Sequence, residues 1–367
     1  MRIILTGGGT GGHIIPLITV AQKIKEKVSD VEFVFIGPGG KMEKDLLGKA
    51  GIPVRGILVG KMRRYFSFWN FVDFFKIPIG FLQSLALLLW YMPDAVFSKG
   101  GYASFPVVLV SWIYRIPVLI HESDANPGMA NSMMSKFANR VAISYSEAEK
   151  YFPAVQVVLT GNPVRSDIAE GNASKAREMF GLLESKKVIF VLGGSQGARN
   201  INNKILDILP DLLHKYQIIH QTGENNFEEV ARKAGELGIK PGREGYHAIT
   251  FYGEEIKDIL AVSDLVISRA GANSLAEIAA TKKPSIIIPL ASAANNHQRM
   301  NAYYIAKTGA CMVLEESNLG SHMLLSKIEE VMNDEALRMK MSQNIGVFYH
   351  PDAADKIAEG VIGMIDK

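Results

Sequence analysis

Five glycines surround a threonine and a histidine in Gly7-Gly8-Gly9-Thr10-Gly11-Gly12-His13-Ile14-Ile15-Pro16. Glycines let a backbone turn tightly and bring its N–H groups, with the positive end of a following helix, against an anion. An imidazole beside them titrates near neutral pH. The loop could therefore hold an anionic ligand and a general base, although a plain strand-to-helix turn is the bland alternative. Gly7, Gly9 and Gly12 satisfy G-x-G-x-x-G, but the second expected strand ends Phe35-Ile36-Gly37-Pro38, without the acid that would bind a dinucleotide ribose. Gly193-Gly194-Ser195-Gln196-Gly197-Ala198 repeats the device, and neither loop is the G-x-x-x-x-G-K-[ST] of phosphoryl transfer. In a third cluster, Ser268-Arg269-Ala270-Gly271-Ala272-Asn273-Ser274-Leu275-Ala276-Glu277, Arg269 and the helix amides could face a phosphate, and Glu277 could accept from sugar hydroxyls. Taken singly, Arg269 reads equally as a surface ion pair and Glu277 as a solvated helix residue.

These loops need strands to carry them. Short β-branched runs alternate with helical patterns, which predicts parallel sheets covered by helices. Strands are expected at 2–6, 31–36, 54–59, 95–98, 117–121, 140–144 and 156–159, then at 188–192, 217–221, 265–268, 284–288 and 311–314, with helices such as 201–213, 254–263 and 302–308 between them. Both series open with a strand running into glycines. The fold class is therefore α/β, with two Rossmann-like doubly wound parallel-sheet domains facing a cleft. A length of 367 residues suits two cores better than one. Asn162-Pro163 marks the break, giving domains over 1–161 and 162–345, and a C-terminal helix over 346–367 that would pack back on the first domain. Ligands in such sheets bind at strand C-termini.

With 48% hydrophobic and 21% charged residues, disorder is excluded. The single cysteine, Cys311, and an N-terminal apolar run too short for a signal peptide point to a reducing compartment. The net charge of +3 divides unevenly: residues 1–161 hold 17 Lys+Arg against 11 Asp+Glu, the remainder 23 against 26. Much of the excess lies at Lys61, Arg63, Arg64 and Lys76, which flank Tyr65, Phe66, Phe68, Trp69, Phe71, Phe74 and Phe75. The following stretch, 77–92, is short and interrupted by Pro78 and Gly80, which argues against a spanning helix. An interfacial element fits 65–75, with aromatics at headgroup depth and cations meeting anionic lipid. Residues 81–91 are expected to pack on the sheet as a buried helix. Nucleic acid is not an expected partner, because the basic residues sit among aromatics in one segment. No D-x-D or clustered ligand spacing calls for a metal.

Six motifs occur in one order: the Gly7–Pro16 loop, Lys99-Gly100-Gly101-Tyr102, His121-Glu122-Ser123-Asp124-x-x-Pro127-Gly128, Thr160-Gly161-Asn162-Pro163-Val164-Arg165, Gly193 to Ala198, and His297-Gln298-x-x-Asn301-Ala302. Together they resemble the MurG family of glycosyltransferase family 28, the UDP-N-acetylglucosamine:lipid I N-acetylglucosaminyltransferases of bacterial peptidoglycan synthesis. The resemblance implies a GT-B fold and inverting transfer of GlcNAc from UDP-GlcNAc to the C4 hydroxyl of undecaprenyl-diphospho-MurNAc-pentapeptide, giving lipid II, with no cofactor or metal. On matched positions it places Arg269, Ala272, Asn273, Ser274, Leu275, Ala276 and Glu277 around diphosphate and ribose. Ser195 and Arg165 join them, Gly253 lies near the uracil, Gln298 contacts the sugar, and Thr10, Gly11 and Gly12 approach from the first domain. Asp124 and Asn301 are further sugar contacts; Asp124 stands where the family commonly has Asn, and an ionised Asp can only accept.

An inverting transfer needs a base, for which His13 is the first candidate and Glu122 the second, each with an orienting role as its alternative. The resemblance also implies a peripheral enzyme on the cytoplasmic face of the cell membrane, with lipid I, anionic inner-leaflet lipids and other cell-wall synthesis proteins as partners. Rival readings are another membrane-associated GT-B UDP-sugar transferase, such as a diacylglycerol glycosyltransferase, and an inactive nucleotide-sugar-binding protein.

Overall fold

The computed structural model describes residues 1–8, 11–60, 68–152, 156–194, 197–291, 293 and 296–365. They divide into two compact units, 1–165 with 350–367, and 166–349.

In the first unit, β1 (Arg2–Thr6), β2 (Glu32–Gly37), β3 (Val54–Gly56), β4 (Ala95–Ser98), β5 (Val118–Glu122), β6 (Arg140–Ile143) and β7 (Val157–Leu159) form one sheet in the order β3-β2-β1-β4-β5-β6-β7. All its pairings are parallel. Alternation along each strand feeds two cores. Ile3 and Leu5 point to one face with Ile14, Leu17 and Ile24, whereas Ile4 joins Val107, Val110 and Leu88 on the other. The C-terminal helix Ala353–Ile365 closes the first face through Ala354, Ile357, Ala358 and Val361. Lys27 pairs with Glu359 at 3.0 Å, and Arg140 donates to the Gly360 carbonyl at 3.0 Å.

The second unit contains β8 (Lys187–Leu192), β9 (Tyr216–Gln221), β10 (Tyr246–Ile249), β11 (Leu265–Ser268), β12 (Ser285–Ile287) and β13 (Met312–Val313), in the order β10-β9-β8-β11-β12-β13. Its six strands therefore repeat the order of the first six in the first sheet, and again every pairing is parallel. In both sheets the order reverses beside the first strand, between β1 and β4 and between β8 and β11. The expected helix over 201–213 is two, Arg199–Asp207 and Leu209–Lys215, because Pro210 cannot continue the ladder and instead starts the second helix.

The aromatic segment leads into the helix Phe68–Tyr91, whose 24 residues contain Pro78. Gly80 lets it lie on the preceding loop, since a Cβ there would come within 2.0 Å of the Leu58 carbonyl oxygen. Ser84 and Leu88 are buried, and Phe81, Leu85 and Tyr91 pack on the core. The opposite face corrects the expectation of a buried helix: Ile79, Leu82, Leu89 and Trp90 are exposed, Trp90 by 81%. No described helix is long and apolar enough to cross a membrane.

Candidate active site

At the reversal point of the first unit, β1 and β4 each end in a glycine turn, and the turns pack on one another. The Lys99 N–H donates to the Thr6 carbonyl at 2.9 Å, and Gly100 and Gly101 adopt φ of 89° and 87°. A Cβ on Gly101 would crowd the Gly8 oxygen at 3.2 Å, and the left-handed φ itself favours glycine; the His13 Nε2 lies 3.6 Å from that position. His13, in the first turn of the helix Gly11–Lys27, is half-buried. Burial, reinforced by the Lys99 ammonium, lowers its pKa to about 4. The ring is therefore neutral at physiological pH.

Next along the sheet, Glu122 ends β5 with 3% exposure. Its Oε1 accepts the Asp124 N–H at 2.9 Å, while Oε2 accepts the Gly128 N–H at 3.1 Å and the Asn131 amide at 2.8 Å. Burial, then Asp124, push this carboxyl above its usual range, against the pull of those donors and Lys99. Three fixed donors make Glu122 the organiser of the 122–131 loop rather than an open proton acceptor. His121 is fully buried beneath it, with Nε2 shared between the Gly161 carbonyl at 3.0 Å and Ser144 at 3.3 Å. Asp124 and Asn126 are half-buried at the same strand end.

At the reversal point of the second unit, β8 ends in Gly193 and Gly194, and β11 runs into Arg269 and the helix Ala272–Ala280. Gly193 and Gly197 are required sterically: a Cβ on the first would meet the Gln221 oxygen at 2.7 Å, and on the second the Thr222 oxygen at 2.3 Å. The N-cap of the Ala272–Ala280 helix is Gly271, which has no side chain to bond the amides of the first turn. Arg269 is not a surface ion pair. With 13% of its side chain exposed, it pairs with Glu316 and donates to the Ile288 carbonyl at 3.1 Å. Burial pushes the Glu316 carboxyl up, but Arg269, the Asn200 amide and the Ala291 N–H outweigh it and hold it below the usual range.

Around this helix start, Ala272, Asn273, Ser274, Ala276 and Glu277 are half-buried, whereas Leu275 is buried and could meet a ligand only through its backbone. The Gln298 side-chain oxygen accepts the Leu290 N–H at 2.9 Å, fixing the loop after β12. Gly253 donates its N–H to Glu255 at 3.0 Å. Asn301 departs from its expected role. It is fully buried and donates to the Ala270 carbonyl at 3.2 Å, so it shapes the Arg269–Gly271 turn and presents no surface to a sugar.

Two profiles of glycosyltransferase family 28 match the chain, the N-terminal domain over residues 3–143 and the C-terminal domain over 188–357. A protein of Bacillus thuringiensis named UDP-N-acetylglucosamine--N-acetylmuramyl-(pentapeptide) pyrophosphoryl-undecaprenol N-acetylglucosamine transferase 2 is 37% identical, over 94% of this chain and 96% of its own. The transferase of the same name in Clostridium perfringens is 36% identical over 100% of this chain and 97% of its own. The chain belongs to this family. It is accordingly a glycosyltransferase, and a crystal structure of Acinetobacter baumannii MurG shares its fold, with a TM-score of 0.74 over 99% of both chains at 24% identity. The family's N-terminal domain thus carries His13, Lys99 and Glu122, and its C-terminal domain carries Arg269, Glu277, Gln298 and Glu316.

The first unit brings together His13, Gly11, Gly12, Glu122 and Asp124, and the second brings together Arg269, the 272–277 helix turn and Gln298. Arg165 ends the first unit, half-buried. Thr10, Ser195, Lys61, Arg63, Arg64 and Phe66 lie outside the described residues, as do the side chains of Phe68, Trp69, Phe71 and Phe75. Lys76 pairs with the buried Asp73 at 2.9 Å. Three residues of the site were not singled out from the sequence as site residues. Lys99 had a signal, an ionisable residue directly after a central strand and before two glycines; Asn131, nine residues beyond Glu122, and Glu316, 47 beyond Arg269, had none.

Proposed function

We propose that this chain transfers N-acetylglucosamine from UDP-GlcNAc to the C4 hydroxyl of undecaprenyl-diphospho-MurNAc-pentapeptide, forming lipid II with inversion at the anomeric carbon. The reading rests on one observation above all: a neutral, half-buried imidazole at the strand end where this family's N-terminal domain has its glycine loop. His13 takes the C4 proton, the freed oxygen bonds to the anomeric carbon, and the bond to the UDP phosphate breaks with its electron pair on the leaving group. A base in this position contributes roughly 10²–10⁴-fold. Glu122 is a positioning residue that holds the 122–131 loop.

The donor belongs to the second unit. The start of the Ala272–Ala280 helix, capped by a glycine, turns the positive end of its dipole to the diphosphate, and preorganised donors of this kind stabilise a departing anion. Arg269 has five N–H donors to divide between Glu316, Ile288 and a phosphate. Glu277, a turn inside the helix, accepts from ribose hydroxyls. A diacylglycerol acceptor is not favoured, because the relatives at 36–37% identity carry the muramyl-pentapeptide name.

The acceptor's polyprenyl chain requires a bilayer, and the exposed face of the Phe68–Tyr91 helix supports peripheral binding to anionic inner-leaflet lipid. On this reading the enzyme works on the cytoplasmic face of the membrane, beside other cell-wall synthesis proteins. Incubating purified protein with labelled UDP-GlcNAc and lipid I tests the reaction: labelled lipid II is the expected product, and its absence with an intact fold would overturn the assignment.

A further inference from the structure

In the second sheet β13 is an edge strand, and β12, β11 and β8 follow it in that order. Just beyond β13 the chain makes a single turn, Glu316–Asn318, and from it the Glu316 carboxylate bonds to the elements that follow all three of those strands. Its Oε1 accepts from the Arg269 guanidinium, on the turn after β11. The same oxygen accepts at 2.9 Å from the Asn200 amide, in the first turn of the Arg199–Asp207 helix that follows β8 and its glycines. Its Oε2 accepts the Ala291 N–H at 3.2 Å, in the loop after β12 that Gln298 also holds. The turn itself does not depend on these bonds, because Leu314 and Leu319 on either side of it are buried in the core. Nor do the bonds staple that core together, since Asn200 and Ala291 are exposed. A side chain with 10% exposure thus directs all its bonds to the three elements from which the donor site is built.

We propose that Glu316 is a positioning residue for donor binding: its carboxylate fixes the Arg269 guanidinium, the start of the Arg199–Asp207 helix and the loop after β12 in the arrangement that receives the diphosphate of a nucleotide sugar. The inference rests on the second unit holding the donor. An arginine side chain has many rotamers, and ordering it only when the ligand arrives costs affinity. Here Glu316 on Nη2 and the Ile288 carbonyl on Nη1 order Arg269 beforehand. Asn200 and Ala291 extend that order to the elements on either side. Two other roles for the carboxylate predict the opposite sign. If Glu316 only occupied Arg269 in the place of a phosphate, or acted only as a negative charge near an anion, neutralising it would tighten the binding of UDP. Glu315 provides a control one residue away: it pairs instead with Arg299 at 3.0 Å and accepts from the Tyr303 hydroxyl at 2.7 Å.

Glu316→Gln keeps the volume and one acceptor oxygen but loses the other acceptor and the charge. Calorimetry should show UDP and UDP-GlcNAc weakened together by roughly tenfold, the scale set by the rotamer freedom of a released arginine. Uridine, which lacks the diphosphate, should bind as it does to the wild-type protein when followed by saturation-transfer NMR; a general loss of structure would weaken it equally. In an Arg269→Met background Glu316→Gln should add little, because the two residues act as one unit. Glu315→Gln removes the same charge and should leave UDP affinity near the wild-type value. Unchanged or tighter UDP binding by Glu316→Gln, an equal loss for uridine, full additivity with Arg269→Met, or the same weakening in Glu315→Gln would overturn the proposal. If Glu316→Gln does not fold, Asn200→Ala removes one of the three bonds at an exposed position and must still weaken UDP relative to uridine; no change there overturns the proposal as well. A wild-type protein that binds neither UDP nor UDP-GlcNAc would sink the donor-site reading itself, whereas wild-type binding left untouched by Glu316→Gln sinks only the role of Glu316.

Discussion

Two glycine turns occupy the same place in two sheets of the same strand order, yet their surroundings differ in kind. Around the turn after β1 stand four titratable side chains, His13 half-buried and Lys99, Glu122 and His121 buried. Around the turn after β8 and β11 the groups are a paired guanidinium, a glycine-capped helix start and carboxamides that fix loops, with Glu316 held by Arg269, Asn200 and Ala291. Topology supplies the crevice in both cases; side-chain chemistry decides its use. A site meant to move a proton needs groups whose protonation is tuned by burial and neighbours. A site meant to hold a dianionic nucleotide needs fixed donors that keep their charge. On the proposed reading, the first turn supplies the base and the second holds the donor.

The largest expected effect tests that division at its centre. His13→Ala should lower kcat by roughly 10²–10⁴-fold, the range for a lost general base, and leave UDP-GlcNAc affinity measured by calorimetry nearly unchanged. Unaltered turnover with a soluble lipid I analogue would remove His13 from the chemistry. Glu277→Ala should do the reverse: a lost hydrogen bond to a charged group, worth about 1.5–3 kcal/mol, weakens donor binding by roughly ten- to a hundredfold. If Glu277→Ala binds the donor normally, the ribose assignment fails and the contrast between the two turns loses its second half.

Asn301 sharpens the comparison in a smaller way. Removing its amide leaves the Ala270 carbonyl short of a buried donor, which should cost about 1–3 kcal/mol of unfolding free energy. Because the residue acts on the Arg269–Gly271 turn, Asn301→Ala should weaken UDP and UDP-GlcNAc to the same degree. A selective loss of UDP-GlcNAc affinity would restore Asn301 as a sugar contact.

Sequence patterns carried the strands well where burial on both faces demands continuous apolar residues, as in β8, of which all but Lys187 is buried. They failed at edges. β10 escaped notice because Tyr246–Ile249 is four residues long, interrupted by His247 and preceded by Lys240-Pro241-Gly242-Arg243-Glu244-Gly245. β3 stops at Gly56 rather than continuing to 59 because the Leu58 N–H is taken at 2.7 Å by the Gln83 side chain, not by a strand. Motif reading put His13, Glu122, Arg269 and Glu277 at or just beyond strand C-termini, and the structure has them there. Spacing could not reveal that Arg269 is already paired with a residue 47 positions away, or that Asn301 faces inward, since both depend on tertiary packing.

A second contrast lies within one helix, and it yields the smallest effect. Phe68–Tyr91 buries Ser84 and Leu88 while Ile79, Leu82, Leu89 and Trp90 stand on the other side, with Leu82 and Leu89 each 63% exposed. Exposed apolar rows of this kind mark surfaces that meet a partner or a membrane. Transferring one such side chain from water into an interface is worth about 1.5 kcal/mol or more, so Trp90→Ser should lower partitioning onto phosphatidylglycerol vesicles roughly tenfold. Its melting temperature should be unchanged, because nothing in the core is removed. Leu88→Ser must behave oppositely, unfolding at lower temperature by the loss of a buried leucine while any folded protein still binds vesicles. Equal vesicle binding by Trp90→Ser and the wild-type protein would show that this row serves something other than the bilayer, and would shift the membrane contact to the aromatic stretch 65–75.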